Sequence, residues 1–133
     1  MNNATVFPSL KYDNASAAID FLTGAFGAER HAVYTGENDS VVHAELRFGN
    51  GLVMLGSARG DFAATRGGGG GIYVVVEDAD AHHEQARSAG AQITRAPYDS
   101  DYGSREYSAQ DPEGNAWHFG TYQPFEFDHA AAS

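Results

Sequence analysis

A repeated order of secondary-structure signals constrains this chain more than any other feature. Residues 5–12 form a short β-compatible run, and Asp13-Asn14 supplies an N-cap for a helix that begins near Ala15. Ala18, Phe21, Leu22, Ala25 and Phe26 recur at i, i+3, i+4, i+7 and i+8 as one apolar stripe, and Gly27 stops the helix. Strand-like runs follow at 29–34, 41–48 and 52–55, the last two joined by Gly49-Asn50-Gly51, a hairpin signal. The order then returns as a strand at 72–76, acidic Glu77-Asp78, a helix at 79–88, a stop at Gly90, and strands near 92–96, 105–110 and 116–121. Tyr12-Asp13 answers Glu77-Asp78, Gly27-Ala28-Glu29 answers Gly90-Ala91-Gln92, and Gly49-Asn50-Gly51-Leu52 answers Glu113-Gly114-Asn115-Ala116. Each half therefore reads βαβββ.

One helix covers one face of a four-stranded sheet, so each half leaves a face in need of a partner. Two halves side by side supply it to each other. The expected fold is α+β, with two tandem βαβββ modules forming a curved, cup-shaped mixed sheet and helices outside. The divisions expected are a first module at 1–56, a Gly-rich linker at 57–71, a second module at 72–124 and a tail at 125–133. The five-glycine run at 67–71 reads as linker because the strand at 72–76 follows it, where a phosphate-cradling loop would open a helix or carry Lys-Ser/Thr. In the tail, Phe125 and Phe127 are expected to dock on the fold ahead of a small-residue end.

Charge narrows the partners. The 133 residues hold 8 Lys+Arg against 18 Asp+Glu, a formal net charge of −10. Such a chain is repelled by phosphate backbones and anionic lipid, which argues against nucleic acid and membrane surfaces and for a cationic or neutral small organic partner. Cysteine is absent, which removes thiolate nucleophiles and thiolate metal sites together. No stretch approaches the roughly 18–20 apolar residues of a membrane helix, and the expectation is a cytoplasmic protein.

The duplication, the segment Glu77-Asp78-Ala79-Asp80-Ala81-His82, the helix end Ala89-Gly90-Ala91 and above all the turn Asp111-Pro112-Glu113-Gly114-Asn115 resemble the vicinal oxygen chelate superfamily. That superfamily includes glyoxalase I, extradiol dioxygenases, and fosfomycin and bleomycin resistance proteins. Ser104-Arg105-Glu106-Tyr107 and Trp117-His118-Phe119-Gly120-Thr121-Tyr122 look like its glyoxalase-like or bleomycin-resistance-like subgroup. The resemblance implies, for its enzymes, a divalent metal held from the first, fourth, fifth and eighth strands. The matching positions here are Phe7 or Pro8, Met54, Gly71 and His118, which leaves one imidazole and implies no metal and no cofactor. What remains resembles the bleomycin resistance proteins, metal-free acidic homodimers that sequester a cationic drug.

Strand period two places His43 and Glu45 toward the cup and Val42, Ala44, Leu46 and Phe48 toward the first helix. By the same rule His118 faces the cup with Gly120 and Tyr122, as do Tyr73 and Val75, while Phe7, Met54 and Tyr73 make its apolar and aromatic floor. Arg105 and Glu106 are further candidate ligand contacts, Arg105 as a clamp for an anionic group or as a salt-bridge residue. The expected function is metal-independent binding of a cationic or aromatic drug or metabolite by a homodimer. The alternative is a glyoxalase-like lyase or isomerase using His118, His43 and Glu45.

Overall fold

The computed structural model describes residues 6–58, 64–65 and 70–126 of the chain. In the first module β1 spans Ser9–Tyr12, α1 Ala15–Phe26, β2 Glu29–Thr35, β3 Val41–Phe48 and β4 Gly51–Ser57. In the second, β5 spans Gly71–Val75, α2 Ala79–Ser88, β6 Gln92–Asp99, β7 Arg105–Gln110 and β8 Ala116–Gly120. The sheets are ordered β1-β4-β3-β2 and β5-β8-β7-β6, the same topology twice. In each, the leading strand pairs parallel with the last and the remaining pairs are antiparallel. This is the α+β fold of two tandem βαβββ modules. Most of the 57–71 linker lies outside the described residues, as does Phe127.

Local chemistry explains the helices. Asn14 Oδ1 accepts the Ala17 N–H at 3.0 Å at the start of α1, and Gly27 ends it at φ +80° with the Ala28 N–H returning to the Leu22 carbonyl. Asp78 caps α2 in the same way. The apolar stripe of α1 sinks into a core that both modules share: Phe26 packs 4.8 Å from Phe119 and 5.6 Å from Trp117, ring centre to ring centre. Among the described residues, no helix is long and apolar enough to cross a membrane.

The Asp-Pro-Glu-Gly-Asn turn fastens the modules together. Asp111, 3% exposed, accepts hydrogen bonds from the Tyr12 hydroxyl at 2.6 Å and the Trp117 indole at 3.1 Å, besides Asn115 within its own turn. Glu113 accepts the backbone N–H groups of Asp13 and Asn14, both at 2.8 Å. From the other side, the His82 ring on α2 donates to the Phe26 carbonyl at 2.9 Å through Nε2, so Nδ1 is the acceptor for the Tyr107 hydroxyl. Burial pushes the His82 pKa below its ordinary value.

Two expectations are corrected. Val42 does not face the core: it is 44% exposed and Val41 4%. The β2–β3 register shifts there, with Tyr34 opposite His43 but Thr35 opposite Val41, so a bulge reverses the alternation at that one residue. Phe125 is not docked, since it is 99% exposed.

Candidate functional site

The face of the second sheet turned away from α2 carries a buried carboxylate. Along β7, Tyr107 and Ala109 enter the core while Glu106 and Ser108 point to the open face. Register then sets their neighbours. Glu106 lies between Tyr98 on β6 and Gly120 on β8, and Ser108 between Arg95 and His118, with Tyr73 of β5 beyond His118.

Gly120 is required by this arrangement. A Cβ there would stand 2.6 Å from the Tyr73 hydroxyl and 2.7 Å from Glu106 Cγ, so the missing side chain is the space in which the two meet. The loop between β6 and β7 brings further groups. Ser100 and Ser104 bridge it through their hydroxyls at 2.7 Å and Gly103 turns it at φ +87°, which folds Tyr102 and Ser104 back over the strand.

Glu106 is only 9% exposed, and hydroxyls surround it. Ser104 donates to Oε2 at 2.9 Å, Tyr73 to Oε2 at 3.3 Å, Tyr98 to Oε1 at 3.2 Å, and Tyr102 reaches both oxygens at 3.3 and 3.4 Å. Burial and the adjacent Glu106 charge raise the pKa of Tyr73, and the same causes raise those of Tyr98 and Tyr102, so all three phenols keep their protons. Above them lies a cavity of about 400 Å3, walled by Tyr73, Tyr98, Tyr102 and Tyr122 with His118 and Ser108 at one side. The Ser108 hydroxyl and His118 Nδ1 are 2.7 Å apart.

The first sheet is furnished differently. On its open face His43 Nε2 donates to Glu45 Oε2 at 2.9 Å, and His31 Nε2 stands 3.9 Å from Oε1. Arg47 donates to His31 Nδ1 at 2.8 Å, and the Tyr34 ring stacks on His43.

Of the residues the sequence singled out, Tyr73, Glu106, His118 and Tyr122 come together around one cavity. His43 and Glu45 form a pair of their own, with Met54 opposite Glu45, and none of the three lines that cavity. Phe7 precedes β1 and is exposed. Arg105 turns to the opposite face, where it pairs with Asp80 at 3.2 Å and Asp99 at 3.3 Å. Sequence reasoning gave no role to Tyr98, Tyr102, Ser104 or Ser108. Tyr98, Tyr102, Ser104 and Glu106 are spaced by four, two and two, a signal that becomes readable once the loop is known to fold back.

The positions matching the family's metal ligands do not suit a divalent cation. Phe7, Pro8 and Met54 offer no hard donor, and the His118 ring lies where a side chain on Gly71 would be, 2.7 Å from its ideal Cβ, with Nδ1 engaged by Ser108. Among the described residues, no three His, Asp and Glu side chains are grouped to hold a metal ion.

The paired βαβββ modules define a protein of the vicinal oxygen chelate fold, and one open sheet face carries the tyrosine-walled cavity. The family model for the Glyoxalase/Bleomycin resistance protein/Dioxygenase superfamily matches residues 8–119, and the chain belongs to that superfamily. An uncharacterized protein of Mycobacterium tuberculosis is 34% identical over 121 residues, covering 85% of this chain and 71% of the relative. The crystal structure of TioX from Micromonospora sp. ML1 superposes with a TM-score of 0.74 at 28% identity, over 88% of this chain and 94% of that one. A glyoxalase I mutant from Zea mays shares the fold, with a TM-score of 0.72 at 24% identity over 86% of this chain and 43% of that chain.

Proposed function

We propose that the protein is a metal-independent small-molecule-binding protein, similar in role to bleomycin resistance proteins, that sequesters a cationic, partly aromatic drug or metabolite. The observation that carries this reading is the Glu106 carboxylate, nearly buried at the floor of a cavity walled by tyrosine rings. Ring faces are electron-rich and attract cations, and the carboxylate adds a full charge at low local dielectric. A net charge of −10 draws cations toward the surface over a Debye length of about 8 Å at physiological salt. The unsuited metal positions support binding over metal-dependent turnover.

The same reading makes the protein a homodimer. The cavity is walled by the second module and the segment after it, and a second copy would add a further wall. Tyr34 and Val42 on the first sheet and Tyr73 and Val75 on the second expose apolar surface that a second copy would cover. Light scattering at micromolar concentration is expected to report a dimer, and a monomer would overturn that part. The lyase or isomerase alternative needs His118, His43 and Glu45 on one substrate, and within one chain the cavity that holds His118 contains neither partner.

Calorimetry with matched cationic and anionic aromatic amphiphiles, with and without chelator, tests the reading. Cationic members are expected to bind more tightly, more weakly as salt rises, and with no response to chelator. Tighter binding of the anions, or binding abolished by chelation, would reject it.

A further inference from the structure

Proton positions around Glu106 specify which ligand group meets it. Each phenol has one proton to donate, and Tyr73, Tyr98 and Tyr102 direct theirs at the carboxylate. Their oxygens are then left with lone pairs only. That of Tyr73 already accepts the Tyr122 backbone N–H at 3.1 Å, which confirms its role as an acceptor on that side. The carboxylate itself has about four lone-pair positions. Ser104 fills one of them at 2.9 Å, while the tyrosine contacts of 3.2–3.4 Å exceed the usual O–H···O separation of about 2.7–2.8 Å, so a charged donor displaces these weaker partners. The floor of the cavity thus accepts hydrogen bonds around a negative charge.

Among the described residues, neither neighbouring arginine bonds to it. Arg105, next in sequence, serves Asp80 and Asp99 on the other face. Arg95 lies over the Tyr98 ring, 3.4 Å from its centre, a cation stacked on the wall and not one of the hydrogen-bond donors around Glu106.

We propose that this pocket recognises a protonated amine that still carries N–H bonds, with Glu106 and the Tyr98 oxygen as its acceptors and the rings as walls for the attached apolar body. The inference rests on the small-molecule-binding reading and sharpens it. A quaternary ammonium has the charge and no N–H, and a neutral alcohol has a donor and no charge; both satisfy the floor less well. Carboxylates and phosphates meet acceptor against acceptor at this floor and are disfavoured there.

Calorimetry on the full chain at neutral pH with 2-phenylethylamine, its N,N,N-trimethyl derivative and 2-phenylethanol tests this. The amine is expected to bind roughly tenfold more tightly than either analogue, the scale of one charge-assisted hydrogen bond. Glu106→Gln should erase the preference. Tyr98→Phe, which keeps the ring and removes one acceptor, should weaken the amine about threefold and leave the alcohol unchanged. Equal binding of the amine and its trimethyl derivative would overturn N–H recognition while leaving the proposed function standing. Equal binding of amine and alcohol, unaffected by either substitution, would overturn both N–H recognition and the cation-binding reading on which it rests. Failure of the wild-type protein to bind any of the three would overturn both.

Discussion

The two open sheet faces were built to one plan and are chemically unlike. Tyr34 opposes His43 in the first module as Tyr98 opposes Glu106 in the second. In the first, the neighbouring carboxylate of Glu45 is bonded to His43, and its side chain is 28% exposed. In the second, the carboxylate is nearly buried and has hydroxyls for company. The difference comes from the connections. A loop folded back by Ser100 and Ser104 covers Glu106 with Tyr102, and Gly120 leaves room beneath it. Glu45 has an internal base as its partner, whereas the partners of Glu106 are neutral hydroxyls. A duplicated fold can thus furnish its two open faces with different chemistry.

The largest effect should come from breaking what joins the two modules. Asp111→Ala leaves the buried Tyr12 hydroxyl and Trp117 indole without their acceptor, and is expected to lower the unfolding free energy by about 3 kcal/mol. Urea denaturation measures it, and a loss of a few tenths would show that the clasp is dispensable. Gly120→Ala comes next. Its Cβ forces Tyr73 and Glu106 apart, so 2-phenylethylamine affinity should fall roughly tenfold with little change in the first sheet. Unchanged affinity would remove the glycine from the account.

A smaller effect concerns pH. The folded pKa of His82 lies below its unfolded value of about 6.5, so its neutral form is favoured in the native state. Its contribution is complete above that unfolded value and is lost as pH falls through it toward the folded pKa. Denaturation midpoints at pH 7.5 and 5.5 should differ less in His82→Gln than in the wild type; an equal or larger difference would contradict the assignment. The smallest effect belongs to Arg105→Gln, which removes exposed ion pairs on the helix side and should leave amine affinity unchanged. A clear loss would place Arg105 in the site.

Periodicity made the scaffold legible. The stripe of α1, the stop at Gly27 and the alternation of Ala44, Leu46 and Phe48 are local patterns, and the structure follows them. Val42 escaped because a bulge depends on the partner strand, which no single run of residues reveals. The Asp-Pro-Glu-Gly-Asn turn was readable as a family mark, but its bond to Tyr12 spans 99 residues and only the folded chain discloses it. Half of the site was legible: parity pointed Tyr73, His118 and Tyr122 to one face, and Glu106 stood out as a carboxylate expected near the cup. Tyr98 and Tyr102 were not, since β6 is irregular between Arg95 and Tyr98 and the loop after it doubles back.

The central claim is that the carboxylate of the second module reads a cation and that of the first does not. A calorimetric comparison of Glu106→Gln and Glu45→Gln, each titrated with 2-phenylethylamine, tests it most directly. Glu106→Gln is expected to weaken binding about tenfold or more, and Glu45→Gln by less than about twofold, since Glu45 sits in a partly exposed pair with His43. Equal losses from the two substitutions, or a larger loss from Glu45→Gln, would contradict the claim.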